Sequence, residues 1–295
     1  MPPGPQGHGV QVARTYIGIS GWTYRAWRGD FYPDGLLQRQ ELAYAASRMT
    51  SIEVNGSFYS LQWPSSWQRW AEEVPDGFVF AVKGSRFITH FKRLVDTRAP
   101  LANFLASGVL ALGDRLGPLL WQLPATVQHD EQRLADFLAL LPRSTGEAAE
   151  LASQHDHRIA EERVWRGEVV DRPLQHALEP RHPSFASERA QAQLAEAGVA
   201  VVVAESAGRW PVLDQARGPF VYVRLHGETD LYTSRYSDLA LDRWAERVRA
   251  WTEEGRDVHV YFDNDARGHA PHDALRLIGR LEGAAPRWTP LVTGQ

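Results

Sequence analysis

Eight short runs of β-branched, aromatic and apolar residues recur along this chain, each followed by a longer stretch, and this rhythm restricts the fold more than any other feature. The runs are TYIGIS (15–20), SIEVN (51–55), FVFAVK (78–83), PLLWQL (118–123), HALEPR (176–181), VAVVVAE (199–205), FVYVRLH (220–226) and DVHVYFD (257–263). Between them lie helical patterns such as QRQELAYAASRM, LANFLASGVLALGDRL and LALDRWAERVRAWTEEG. Strands alternating with crossover helices imply a parallel sheet. Eight such units in 295 residues predict a single TIM-type (β/α)8 barrel rather than an open doubly wound sheet. The first run is not followed by a G-x-G-x-x-G turn, which argues against a dinucleotide site, and no cofactor is expected. The connection after the sixth run is too short to carry a clear helix.

The barrel is expected over 15–285. The first fourteen residues, rich in Pro and Gly, are expected to be a disordered tail. A charged, His-containing insertion at about 143–172 breaks the rhythm and reads as a solvated surface excursion in preference to a lid.

Composition narrows the function. With 32 basic and 36 acidic residues the formal net charge is −4, so bulk charge does not recruit a polyanion, although a local basic pocket is compatible with it. Zero Cys excludes disulfides, thiolate metal sites and a cysteine nucleophile. No apolar stretch approaches the roughly 20 residues of a membrane span, and the first residues lack the pattern of a secretory signal. A cytoplasmic protein without a membrane partner is therefore expected, of unspecified oligomeric state. Only two of the 32 basic residues are lysines, Lys83 and Lys92.

Side chains alternate along a strand, so assigning the Val, Ile and Leu set to the helices turns the other set toward the barrel axis. The inward set is Ser20, Glu53, Asn55, Ala81, Lys83, Gln122, Glu179, Arg181, Tyr222, Arg224, His226, His259, Tyr261 and Asp263. In the sixth run both faces are apolar, which leaves open whether Glu205 or Ser206 points inward. The polar members cluster at the C-terminal strand ends, where barrel active sites are built. Glu53, Glu179 and Asp263 against Lys83, Arg181 and Arg224 make either an open charged pocket or a self-paired ionic core.

The runs IGISGWTYRAWRGDFYP, IEVNGSFY, FVFAVKGSRFITH, KRL, LGPLLWQLP, EPRHPSF, FVYVRLHG and YFDND resemble the domain-of-unknown-function family seventy-two, the YecE-like proteins, from about residue 16 to about residue 277. The resemblance implies a TIM-type barrel and carries no established reaction. The family's pattern falls on Ser20, Gly21, Trp22, Tyr24, Glu53, Asn55, Phe58, Tyr59, Lys83, Thr89, His90, Gln122, Glu179, Arg181, His182, Arg224, His226, Gly227, Tyr236 and Asn264. The sequence departs from it at Gly56, at Phe185 in place of Trp, and at Asp263 in place of Asn.

Lys83, Arg181 and Arg224 at one mouth would attract a small anionic molecule, because guanidinium forks match carboxylate and phosphate oxygens. Glu53 and Glu179 would serve as an acid–base pair, with His90, His182 or His226 titrating near neutrality and Lys83 as either an anion ligand or a nucleophile. The candidate catalytic set is thus Glu53, Lys83, Glu179 and His226. Ser20, Trp22, Tyr24, Asn55, Tyr59, His90, Gln122, Arg181, His182, Arg224, Tyr236 and Asn264 are candidate substrate contacts. Trp22, Tyr24, Trp27, Phe58, Tyr59 and Trp63 would wall the mouth or plug gaps between loops, whereas Trp67 and Trp70, at helical spacing, belong to the core. His90, His182 and His226 form no H-x-x-x-H or H-x-H pair among themselves, so no metal is expected. The expected function is acid–base catalysis on a phosphorylated or carboxylated, sugar-like substrate. The alternatives are a single-stranded nucleic-acid protein, disfavoured by the acidic net charge, and a divalent-metal-dependent hydrolase or isomerase.

Overall fold

The computed structural model describes residues 13–213 and 217–281. The expected tail falls mostly outside these residues. Nine strands form one sheet in which every pairing is parallel. They are β1 (Thr15–Ser20), β2 (Ser51–Val54), β3 (Val79–Lys83), β4 (Leu116–Gln122), β5 (His176–Glu179), β6 (Val199–Val201), β7 (Val203–Glu205), β8 (Val221–Leu225) and β9 (Val258–Phe262). Their order, β6-β5-β4-β3-β2-β1-β9-β8-β7, returns to its starting point, because β6 and β7 are halves of the expected sixth strand separated only by Val202. Val202 itself donates its N–H to Leu178 O at 2.9 Å, so the chain stays against β5 across the break. The barrel is closed on the eight predicted runs, one of them interrupted.

Helices α1 (Glu41–Ala46), α2 (Gly56–Tyr59), α3 (Pro64–Glu72), α4 (Arg98–Ala106), α5 (Glu131–Leu140), α6 (Thr145–Ala152), α7 (Glu188–Glu196), α8 (Asp238–Glu253) and α9 (His269–Arg280) fill the connections. Their starts follow local chemistry. Asp130, Ser144, Ser187 and Ser237 cap α5, α6, α7 and α8 by accepting an N–H of the first turn, and Pro64 sits in the first turn of α3, where its missing N–H costs nothing. No helix occurs among the described residues between β7 and β8.

The period-2 alternation sorts the side chains into two layers. Ile17, Ile19, Ile52, Val54, Phe80, Val82, Leu119 and Trp121 pack outward beneath the helices. Ala81, Leu120, Ala177, Ala200, Val202, Ala204, Phe220, Tyr222 and Tyr261 fill the interior. This register resolves the sixth run: Ala204 points in, Glu205 points out and accepts from Trp244 Nε1 at 2.9 Å, and Ser206 is buried. The lower interior is sealed by aromatic rings, with Tyr16 stacked on His259 at 4.6 Å and Tyr222 against Tyr261 at 5.1 Å. Burial pushes the His259 imidazole down to about 3, so it stays neutral in this apolar floor.

The 143–172 segment does not cover the barrel mouth. Its Trp165 N–H donates to Ala106 O at the end of α4, Arg163 reaches Leu61 O with its guanidinium 4.6 Å from the Trp63 ring, and Arg172 bonds Leu116 O. It runs along the outside of the barrel and reaches the rim at the loop after α2 and, through Arg158, beside Ser85, Phe87 and Ile88 after β3. Among the described residues no helix is long and apolar enough to cross a membrane.

Candidate active site

The polar strand ends predicted to face inward meet around one guanidinium. Arg224, fully buried on β8, donates from Nε to Glu53 Oε2 at 3.0 Å, from Nη2 to Glu53 Oε1 at 2.8 Å and to Asp263 Oδ2 at 2.9 Å, and from Nη1 to Glu179 Oε2 at 2.8 Å. The carboxylates are held by further donors. Ser20 Oγ and Tyr222 OH donate to Glu53 at 2.9 and 2.7 Å, Arg181 Nε donates to Glu179 Oε1 at 2.7 Å, and His226 Nδ1 lies 2.8 Å from Asp263 Oδ2. Desolvating such charges singly costs several kcal/mol each, so their mutual pairing is what permits them in the interior. Burial alone would raise the Glu179 carboxyl, but Arg181 and Arg224 hold it well below the usual carboxylate range. Burial likewise opposes Asp263, whose carboxyl Arg224 and His226 keep far down. Both carboxyls are thus held toward their ionised form by the cations around them.

This arrangement also changes the place of Arg224. The sequence reading offers it to an anionic ligand; the structure surrounds it with three carboxylates and leaves its side chain no exposure. It organises the site instead.

Lys83 stands apart from the network. Its ammonium lies 4.4 Å from the Phe58 ring centroid, and no described residue pairs with it as a carboxylate partner or hydrogen-bond acceptor. Burial, aided by the neighbouring Arg224 charge, pushes its pKa down to about 8. Phe58 also meets His90 edge to face at 5.0 Å. Burial and the Lys83 charge lower His90 to about 4, so that ring is neutral at pH 7. Gln122 Nε2 approaches His90 Nε2 at 3.5 Å.

His90 leads out into a cleft of about 740 Å³ lined by Pro124, Ala125, Arg181, Pro183, Gly208, Arg209, Trp210 and Pro211. Its cations are Arg181 and Arg209, and none of its lining residues is acidic. The Arg181 guanidinium stacks over the Trp210 ring at 3.7 Å while its Nε holds Glu179, which fixes the plane of the fork at the cleft edge. Trp210, Arg209 and Tyr232 were not among the sequence candidates. Trp210 and Tyr232 both place a ring edge-on to His226, at 5.6 and 5.4 Å. The signals were a helix-free connection after the sixth strand, and in Tyr232 a positive φ of 63° that only the fold reveals. Asp265, also missed, follows Asp263 by two residues, and burial together with the Asp263 charge raises it to about 6.

Ser20, Glu53, Lys83, His90, Gln122, Glu179, Arg181, Arg224 and His226 thus come together, and other predicted contacts do not join them. Trp22 packs against Trp70 at 5.1 Å and Phe80 at 6.3 Å in the outer layer. Tyr24 donates to Ser20 O at 2.7 Å with its ring against the buried Trp27, plugging the loop after β1. Asn55 N-caps α2 in position, with its Oδ1 buried and unpartnered. Tyr59 is 65% exposed on the outer rim, beneath the Arg86 guanidinium. His182 Nδ1 accepts the Ser184 N–H and starts the short turn at Pro183–Ala186. Tyr236 and Asn264 belong to a buried brace: Asn264 Nδ2 and the Tyr236 N–H both donate to Asp273 Oδ2, and Tyr236 OH accepts from Gly227 N. Trp22, Tyr59, His182, Tyr236 and Asn264 turn to these partners because the strands end before them, so the alternation that orders a strand no longer applies; Tyr24, in contrast, lies close enough to Glu53, Asp263 and Asp265 to feel their charge. Among the described residues no group of three or more His, Asp or Glu is arranged to hold a metal ion; the carboxylate oxygens are turned onto Arg224.

A closed parallel barrel with its ionisable groups gathered at the C-terminal strand ends defines a TIM-barrel protein with a charged mouth. The chain belongs to the family described as protein of unknown function DUF72, which matches residues 16–293. It is 22% identical over 307 residues to the UPF0759 protein YunF of Bacillus subtilis (strain 168), covering 92% of this chain and 98% of that one. Among solved structures it resembles a DUF72 family protein from Thermotoga maritima MSB8, with a TM-score of 0.70, 22% identity and coverage of 91% and 99% of the two chains. It also resembles one from Enterococcus faecalis V583, with a TM-score of 0.70, 15% identity and coverage of 95% and 99%. These likenesses establish the fold.

Proposed function

We propose that this protein is an enzyme that acts by acid–base chemistry on a small anionic molecule, phosphorylated or carboxylated and sugar-like, bound in the cleft at the C-terminal mouth of the barrel. The observation that carries the reading is the separation of charge: Arg181, Arg209 and His90 line the cleft with no acid among the lining residues, while the carboxylates below are turned onto Arg224. Arg181 presents its fork to the anion, and Trp210 offers a ring face for the body of the ligand. Lys83 is the catalytic amine, since with a pKa of about 8 both its charged and its neutral form are accessible near neutral pH. His226, held by Asp263, is fully buried behind the cleft-lining Trp210 ring, and Glu53 and Glu179 keep Arg224 and Arg181 in place.

The test is calorimetric titration with inorganic phosphate and with a panel of sugar phosphates and sugar acids, followed by turnover assays of whichever bind. Binding that weakens at least tenfold in Arg181→Ala is expected. Absence of binding by the entire panel at low ionic strength overturns the reading.

A second reading, single-stranded nucleic acid, is supported by exposed Tyr59, Trp63, Phe87 and Phe91 on the rim, with Arg86 over Tyr59 and Phe91 and Arg163 over Trp63. Retention of a fluorescent oligonucleotide that falls steeply with salt is its expected signature, and no retention at low salt removes it.

A further inference from the structure

We infer that Lys83 is a covalent nucleophile, and that the ligand class of this site is an anionic carbonyl compound which condenses with its side-chain amine to form a Schiff base. The inference rests on the anion-cleft reading above and names the functional group of the substrate.

The geometry carries it in three steps. Lys83 is 8% exposed at the C-terminal end of β3, the barrel end at which the cleft opens, and is largely dry. Its Nζ sits over the Phe58 ring with no carboxylate partner, although Glu53, Glu179 and Asp263 are all at the same barrel end. Those acids are saturated by Arg224, Arg181, Ser20, Tyr222 and His226, so the network withholds from the lysine the ion pair that would keep it protonated. An ammonium left unpaired beside a guanidinium in a desolvated site is held for use as a free amine. With the pKa at about 8, roughly a tenth of the side chain is uncharged at pH 7, against well under a thousandth at the ordinary lysine value. Phe58 then connects this amine to the cleft: one face carries Lys83, and His90, a cleft-lining residue, meets its ring at 5.0 Å.

The condensation balances without an oxidant. The nitrogen lone pair attacks the carbonyl carbon, the C=O π pair moves to oxygen, and the two amine protons end on that oxygen, which departs as water when the C=N bond forms. Arg181 and Arg209, at the cleft wall, face the phosphate or carboxylate of the same molecule. His90, neutral at pH 7, is the group placed to relay a proton to the departing oxygen.

The chain's two lysines make the test unusually readable. The full-length protein is treated with glyoxylate and, separately, with uncharged propionaldehyde, each in the presence of sodium cyanoborohydride, and adducts on Lys83, Lys92 and the α-amine are followed by peptide mass mapping. Glyoxylate is expected to modify Lys83 about tenfold faster than Lys92 at pH 7, with a rate that rises toward pH 8 and levels off above it, and with protection by inorganic phosphate. Propionaldehyde should keep only the smaller preference that the larger free-amine fraction of Lys83 gives any aldehyde, and should show no protection by phosphate. Arg181→Ala, which retains the lysine, should lose the preference for the anionic aldehyde while staying folded by thermal melt. Modification of Lys83 no faster than Lys92 overturns the inference. If phosphate still binds by calorimetry in that case, the anion-cleft reading survives and the covalent step alone is wrong; if phosphate also fails to bind, both fall.

Discussion

Arg224 and Glu53 face each other across the barrel through two charge-assisted hydrogen bonds, 3.0 Å from Nε and 2.8 Å from Nη2, with both side chains sealed from solvent. They lie 171 residues apart in the chain, so this pair exists only once the barrel has closed. Its removal should therefore be a test of the whole architecture. Arg224→Ala leaves Glu53, Glu179 and Asp263 buried without their common counter-charge and is expected to cost about 3–5 kcal/mol. Arg224→Lys should recover little, because one ammonium cannot reproduce a planar fork that serves three carboxylates. Urea denaturation midpoints of the three proteins measure both claims.

The acid limb of stability should be steep. Glu179 and Asp263 titrate below their unfolded values in the folded chain, so between those two sets of pKa values the unfolded chain binds more protons. Their contribution is present in full above the unfolded range of about 4 and is lost as pH falls below it. Unfolding free energies from pH 5 to pH 2 should drop accordingly, and Asp263→Asn should flatten the slope. An unchanged slope in that variant would count against the pairing.

Lys83 should carry a stability penalty. Its folded pKa of about 8 lies below the ordinary value of 10.5, so between the two the unfolded chain holds the extra proton and stability rises with pH. Below pH 8 the cost of keeping the buried ammonium is constant, on the order of 3 kcal/mol. Lys83→Met, similar in length and uncharged, should therefore stabilise the protein at pH 7 and lose that advantage by pH 10.5. Thermal melts across this range decide it; a variant less stable than the parent at pH 7 contradicts the assignment.

Gly18 marks a contact no other residue can make. A Cβ built there would lie 1.7 Å from the Ser51 carbonyl oxygen, within the β1–β2 pairing where Gly18 is registered against Ser51. Gly18→Ala should fail to give soluble, cooperatively melting protein, whereas Gly35→Ala, with nothing within 4 Å though at a positive φ of 81°, should cost no more than about 1–2 kcal/mol. Circular dichroism melts compare the two.

Much of the site was legible because strand alternation is a local rule. Ser20, Glu53, Lys83, Gln122, Glu179, Arg224, His226 and Asp263 are all buried at the barrel mouth, in agreement with their position in the period. The rule weakens where strands end. Asn264 follows Asp263 immediately yet turns into a brace with Asp273, and Tyr59 lies on the outer rim. Arg209, Trp210 and Tyr232 come from loops whose course no periodicity describes.

The imbalance of two lysines among 32 basic residues drew attention to Lys83, but only the folded chain explains its position. The order of strands, their inward faces and the set of charges at one end of the barrel follow from the sequence itself, because hydrophobic period and element length act over a few neighbouring residues. Which charge pairs with which was decided by tertiary structure. Arg224 could have served a ligand and Lys83 a carboxylate; cross-barrel distances gave Arg224 to the three acids and left the lysine amine unpaired against Phe58.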